Sequence, residues 1–151
     1  MAKGKKGDPA TIIENRKARH DYEILDRFEA GVELVGSEVK SLRAAQAQFA
    51  DAFAAIDGGQ VWLHGVRIAE YPQASRNNHD PDRRRRLLLN RYEIERLRGK
   101  LKEQGLTLVP LRFYFKGPRI KLELGLARGK KTHDKRQALR EKADKREMRN
   151  G

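Results

Sequence analysis

Hydrophobic residues alternate with polar ones at period two in the stretch Leu111-Arg-Phe-Tyr-Phe-Lys116: Leu111, Phe113 and Phe115 share one face, Arg112, Tyr114 and Lys116 the other. From Arg119 to Leu126 the alternation resumes, with Ile120, Leu122, Leu124 and Leu126 opposite Arg119, Lys121 and Glu123. Such alternation marks strands with one face in a core, and Gly117-Pro118 between the runs predicts a tight hairpin loop. Ala52–Ile56 and Val61–Tyr71 flank Asp57-Gly58-Gly59-Gln60, a second hairpin signal. Alternation from Tyr22 to Leu34 is interrupted at Glu29-Ala30-Gly31, which predicts a strand with a bulge or bend at Gly31.

Helical periodicity is clearest after Asn90. Asn90 and Glu93 have the spacing of a capping box, Leu89 and Ile94 that of a hydrophobic staple, and Ile94, Leu97 and Leu101 follow at helical intervals. Gly105 supplies the stop, so a helix is predicted over Arg91–Gln104. A shorter helix is expected from Glu38 to about Gln46, capped by Ser37, with Val39 and Leu42 inward. Pro72–Arg86 has little apolar content except at its ends and reads as a long loop. About six strands and two or three short helices predict a mainly β chain with short α-helices, folded as a small antiparallel barrel of the oligonucleotide-binding type.

Charge changes the picture at the ends. The chain of 151 residues has 34 Lys and Arg against 21 Asp and Glu, a net +13. Residues 128–149 hold ten basic against four acidic residues, and residues 1–20 hold six against two. The middle is therefore nearly balanced and the flanks are basic, the electrostatic footprint of a phosphate-binding protein. The expected organisation is a basic flexible arm over 1–14, an RNA-binding barrel over 15–127, and a basic tail over 128–151. The tail is polar all round and is expected to be intrinsically disordered in solution. Gln137 with Glu141 and Glu141 with Lys145 are i,i+4 pairs that would favour a helix once bound phosphates offset the repulsion.

The sequence offers little for catalysis, and no enzyme is expected. It has no cysteine, which removes disulfides and thiolate metal sites. His20-Asp21, His79-Asp80 and His133-Asp134 lack a second ligand at metal spacing and are better read as caps, turns or RNA contacts. Ser37, Ser41 and Ser75 lie in no nucleophile elbow. Gly125–Thr132 glances at a phosphate loop, but its glycines are one residue too close. No apolar run is long enough for a bilayer, and the tail is too thin in apolar residues to insert. A soluble cytoplasmic protein with no cofactor, no metal and no membrane partner is expected. The run Arg83-Arg84-Arg85-Arg86, anchored by Leu87-Leu88-Leu89, is expected to face phosphate. Glu29 is a salt-bridge partner, a backbone cap, or an acceptor for a base or ribose hydroxyl.

Several segments together resemble one family. Asn15-Arg16-Lys17-Ala18-Arg19-His20, Phe28-Glu29-Ala30-Gly31, Glu38-Val39-Lys40-Ser41-Leu42-Arg43, Leu87-Leu88-Leu89, Gly105–Leu111 and Gly129-Lys130-Lys131-Thr132-His133-Asp134-Lys135-Arg136 occur in the order seen in SmpB, the SsrA-binding proteins of bacteria. The resemblance runs from about residue 12 to the C-terminus. It implies trans-translation: binding the tRNA-like domain of tmRNA, delivering it to stalled 70S ribosomes and standing in for the anticodon arm. The tmRNA-facing set it implies is Asn15, Arg16, Lys17, Glu29, Leu88 and Lys121, to which the neighbouring Arg19 and Arg119 are added. It also implies that Gly129, Lys130, Lys131, His133, Asp134, Lys135 and Arg136 enter the decoding centre and empty mRNA channel against small-subunit rRNA, with His133 stacking on a base. A monomer, one copy per tmRNA, is expected. The rival classes are a constitutive ribosomal or single-strand-binding barrel and an enzyme.

Overall fold

The computed structural model describes residues 10–103 and 105–129. Expectations for the rest of the basic arm and for Lys130, Lys131, His133, Asp134, Lys135 and Arg136 lie outside the described residues. In chain order the elements are β1 (Thr11–Glu14), α1 (Arg16–Asp21), β2 (Tyr22–Val32), α2 (Gly36–Arg43), β3 (Ala47–Asp57), β4 (Gln60–Ile68), a 3-10 turn (Pro72–Asn77), β5 (Arg85–Leu88), α3 (Arg91–Lys100), β6 (Leu106–Lys116) and β7 (Arg119–Gly129). All pairings are antiparallel, in the order β6-β3-β4-β5-β2-β7, and β7 pairs back onto β6. The six strands thus close into a barrel, which leaves no free edge on the ring. β1 lies outside it, on the Arg112–Tyr114 stretch of β6.

The two expected hairpins are present. Lys116 pairs with Arg119 across Gly117-Pro118, and Asp57 with Gln60 across Gly58-Gly59, both of which have positive φ as a two-residue turn requires. Inward positions form one core in which Leu42, Val61, Leu87, Leu97, Leu108, Leu122 and Leu124 are fully buried. A second cluster lies outside the barrel: Ala18 of α1 packs on Val109, Leu111 and Ala127, with Tyr22 and Ile24 beside them. Gly125 leaves room for this contact, because a Cβ there would lie 3.1 Å from Leu111 Cδ1 and 3.3 Å from Ile24 Cγ2.

Six local expectations need correction. Gly31 lies in regular pairing with both Leu88 and Lys121, and the irregularity of β2 falls instead between Ile24 and Asp26. Leu111 does not share a face with Phe113: a bulge between Pro110 and Arg112 turns Leu111 out beneath α1 while Phe113 stays in the core. Ser37 is not a cap. Val35 occupies that position and Glu38 Oε1 accepts its N–H at 2.9 Å, while buried Ser37 lies inside α2. The helix from Arg91 keeps its Asn90–Glu93 capping box but ends at Lys100. Pro72–Arg86 is not all loop, since it contains the 3-10 turn and the start of β5. Thr11–Glu14, assigned to the arm by charge, is a strand, and β7 runs to Gly129.

Candidate nucleic-acid interface

Strand register assigns the outer wall. Ala30, Leu122 and Phe113 pair across β2, β7 and β6 and are buried, so their sequence neighbours point outward. One outward row is Leu88, Gly31, Lys121, Tyr114, and the next is Glu29, Glu123, Arg112. Leu88 is 46% exposed beside Gly31, where any Cβ would approach Leu88 Cβ to 3.1 Å. A side chain at residue 31 would require Leu88 to shift by a few tenths of an ångström. Arg119 begins β7 on the same face and is exposed.

Glu29 is the hub of this end. Its carboxylate accepts from Tyr114 Oη and, at 2.8 Å, from Lys116 Nζ. The Lys116 ammonium and the Tyr114 hydroxyl hold the Glu29 carboxyl below its ordinary range, and the charge of Lys121 adds to this. Burial and the neighbouring Glu29 push the Tyr114 hydroxyl well above its usual range, so it stays a donor. Their contact spans β7 beside Lys121, and Leu88 lies on the far side of β2, next to Gly31.

α1 occupies the other end of the same wall, over Gly125 and Ala127. Six residues of β7 separate Lys121 from Ala127, roughly 20 Å at strand rise. Asn15 is buried; its Oδ1 accepts from Ala18 N–H, its Nδ2 donates to Pro110 O at 2.8 Å, and its N–H bonds Leu111 O. It caps α1 and ties that helix to the β6 bulge, which fixes where Arg16 and Lys17 project. Arg16 is exposed, Lys17 reaches Asp51 at 3.0 Å, and Arg19 pairs with Glu14 at 3.3 Å. Between the two ends the charge is largely neutralised, with Glu123 facing Arg112 at 3.2 Å and Arg27 at 3.6 Å. Among the described residues Arg16, Arg119 and Lys121 form no ion pair, so these cations remain open to a phosphate.

The arginine run is a different matter. Arg85 is fully buried; it donates to Glu38 Oε2 at 2.9 Å, Val66 O at 2.6 Å and Pro81 O at 3.0 Å. Arg83 grips the same carboxylate at 2.6 and 2.9 Å, Arg84 pairs with Asp57 and lies 3.9 Å over the Trp62 ring, and Arg86 pairs with Glu33. All four are engaged within the protein, and the burial of Arg85 corrects the expectation that the whole run meets phosphate; Arg83, Arg84 and Arg86 keep partly exposed side chains in their ion pairs. The strand explains it: Arg85 and Leu87 alternate inward with Arg86 and Leu88 outward. His79 is likewise structural. Its Nε2 donates to Ile68 O, so in the neutral ring Nδ1 accepts from Ser37 Oγ. Among the described residues no group of acidic or histidine side chains could hold a metal ion, and no helix is long and apolar enough to cross a membrane.

Comparisons with known proteins converge on one family. The family model described as "SmpB protein" matches residues 12–151. The SsrA-binding protein of Kineococcus radiotolerans is 59% identical over 136 residues, which cover 90% of this chain and 87% of that protein. That of Streptomyces coelicolor is 56% identical, with 90% and 86% covered. Among solved structures, one described as "tmRNA-SmpB: a journey to the center of the bacterial ribosome" has a chain that matches with a TM-score of 0.68 and 51% identity, covering 83% of this chain and 89% of its own length.

Proposed function

The chain belongs to the SmpB protein family, and on that footing we propose that it binds tmRNA through the outer wall of β2, β7 and β6 and carries it to stalled ribosomes. It is an RNA-binding adaptor of trans-translation, and its partners are tmRNA and the ribosome. The observation that carries the assignment of the wall is the coincidence, on one face, of an apolar contact and cations that form no ion pair among the described residues: Arg16 at one end, Arg119, Lys121 and Leu88 at the other. Cations supply the salt-dependent affinity, and Leu88 with the Glu29 carboxylate supplies what cations alone cannot, contact with a base or ribose. Asn15 and Arg19 act by fixing α1. Lys17, which is held by Asp51, contributes where phosphate draws it away.

The tRNA-like domain of tmRNA is the part that fits, in a cytoplasmic complex of one protein per RNA. The tail from Gly129 through Lys130, Lys131, His133, Asp134, Lys135 and Arg136 then takes the decoding centre and the empty mRNA channel, where the protein stands in for an anticodon arm. Deleting residues 130–151 tests this division in a reconstituted tagging assay. The truncated protein should bind tmRNA as before and fail to tag stalled chains. Loss of tmRNA binding on truncation would overturn the division, and retained tagging would overturn the tail's role.

A further inference from the structure

A cleft of about 460 Å³ opens between α1 and β3, lined by Lys17, Ala18, Tyr22, Phe49, Asp51, Phe53 and Thr107 among others. Its construction is unusual. The pairing of β3 with β4 passes from Phe49–Val66 directly to Phe53–His64, so Ala50, Asp51 and Ala52 together face Gly65 alone. Asp51 has φ +53, a backbone conformation that costs a residue with a side chain, and Gly65 has φ +79. A Cβ on Gly65 would fall 2.8 Å from both Ala50 O and Ala52 Cα. The bulge rests on bare glycine, and it lifts the exposed Asp51 carboxylate to within 3.0 Å of Lys17 Nζ.

Past the bulge, Phe53 is 44% exposed, and its ring stacks nearly parallel on His64, with centroids 4.9 Å apart and planes 12° from each other. An aromatic platform backed by a second ring, a floor made by Ala18, Phe49 and Ala52, and a few polar groups at the rim form a small-ligand site, and the volume lies within the range such sites occupy. Bulges and non-glycine residues at positive φ cluster at binding sites, where the strain re-aims side chains.

We propose that this cleft receives one unpaired nucleobase of the bound RNA, stacked on Phe53, with an N–H edge donated to Asp51. The chemistry selects a base over a phosphate: a carboxylate at the rim repels phosphate and accepts from the amino and imino groups of a base, while Lys17, on the same helix as exposed Arg16, is placed for the backbone of that nucleotide. Stacking on an exposed ring is also how single-stranded segments are held when their bases splay out. The proposal rests on the tmRNA function above but adds a contact on β3, outside the β2–β7–β6 wall.

The test is nucleotide-resolution chemical probing of tmRNA at saturating protein, with affinities measured in parallel, for the intact chain and for Phe53→Ala, Phe53→Tyr and Asp51→Asn. The intact protein should protect an unpaired base whose protection Phe53→Ala alone removes, with affinity falling roughly five- to hundredfold, and Phe53→Tyr should keep it. Asparagine tolerates positive φ, so Asp51→Asn preserves the bulge; it should weaken binding although it makes the protein more basic. Identical protection in Phe53→Ala and the intact protein, or tighter binding by Asp51→Asn, would overturn the nucleobase site and leave tmRNA binding standing. No protection by the intact protein would overturn the tmRNA function and this site with it.

Discussion

Removing the Glu38 carboxylate should unfold this protein far more easily than its place on a short helix suggests. Glu38 is fully buried, and its two oxygens accept from Val35 N–H at 2.9 Å, from Arg83 Nη2 and Nε at 2.6 and 2.9 Å, and from Arg85 Nε at 2.9 Å. In Glu38→Ala the fully buried Arg85 guanidinium keeps only carbonyl partners, and an uncompensated buried charge costs about 3–5 kcal/mol. In a folded body of this size each kcal/mol moves the melting midpoint by roughly 3–5 °C. The midpoint, followed by the fluorescence of the single tryptophan, Trp62, should therefore fall by roughly 10–20 °C. Replacing both partners, Glu38→Leu with Arg85→Met, should recover most of the loss, because Arg83, 31% exposed in its side chain, can turn to water. Burial pushes the Glu38 carboxyl up, but the hydrogen bonds from Arg83, Val35 and Arg85 outweigh it and leave it below its ordinary value of 4.5. A lowered folded-state pKa stabilises above that value and is lost as pH falls through it, so the gap between the intact protein and Glu38→Ala should be constant near neutrality and close below about pH 4.5. A midpoint drop under roughly 3 °C, or a double variant no better than the single one, would refute the reasoning.

Gly65→Ala should lose at least about 2 kcal/mol in urea unfolding, since it adds a left-handed backbone penalty to two backbone clashes; an unchanged midpoint would mean that the β3 bulge does not rest on Gly65. Glu29→Ala should lower tmRNA affinity although it raises the net charge, because Tyr114 and Lys116 lose the acceptor that orders them, and Glu29→Gln, which can still accept from Tyr114, should lie between; filter binding that shows a tighter complex for Glu29→Ala would reduce Glu29 to a repulsive charge.

What the chain discloses before folding follows from how local each determinant is. The two hairpins and the Asn90 cap were legible because turn glycines and a three-residue capping pair act within one turn of chain. The barrel followed from strand count and closure. Arg85 was not legible: its burial depends on Glu38, 47 residues away, and four consecutive arginines look like one charged surface until strand alternation sends one of them inward. Leu111 fits the alternation around it, and the bulge that turns it toward α1 arises at Pro110, which cannot donate to the ladder. Asn15, Glu29, Leu88 and Lys121 lie far apart in sequence, and closure of the barrel places them on one wall. Asp51, Phe53 and His64 belong to no motif in the sequence; the local signal is Gly65 interrupting a strand, a mark of bulges and of close backbone approach.

The salt dependence of tmRNA affinity, measured for single alanine variants, bears most directly on the β2–β7–β6 wall as the RNA face. Arg16→Ala, Arg119→Ala and Lys121→Ala should each reduce the slope of log affinity against log salt by roughly 0.7 to 0.9, one phosphate apiece, whereas Arg84→Ala and Arg86→Ala, which remove side chains already paired with Asp57 and Glu33, should leave it unchanged. Slopes reduced by the Arg84 and Arg86 variants and unaffected by the Arg16, Arg119 and Lys121 variants would move the RNA off the β2–β7–β6 wall toward β5 and β4 and contradict the assignment.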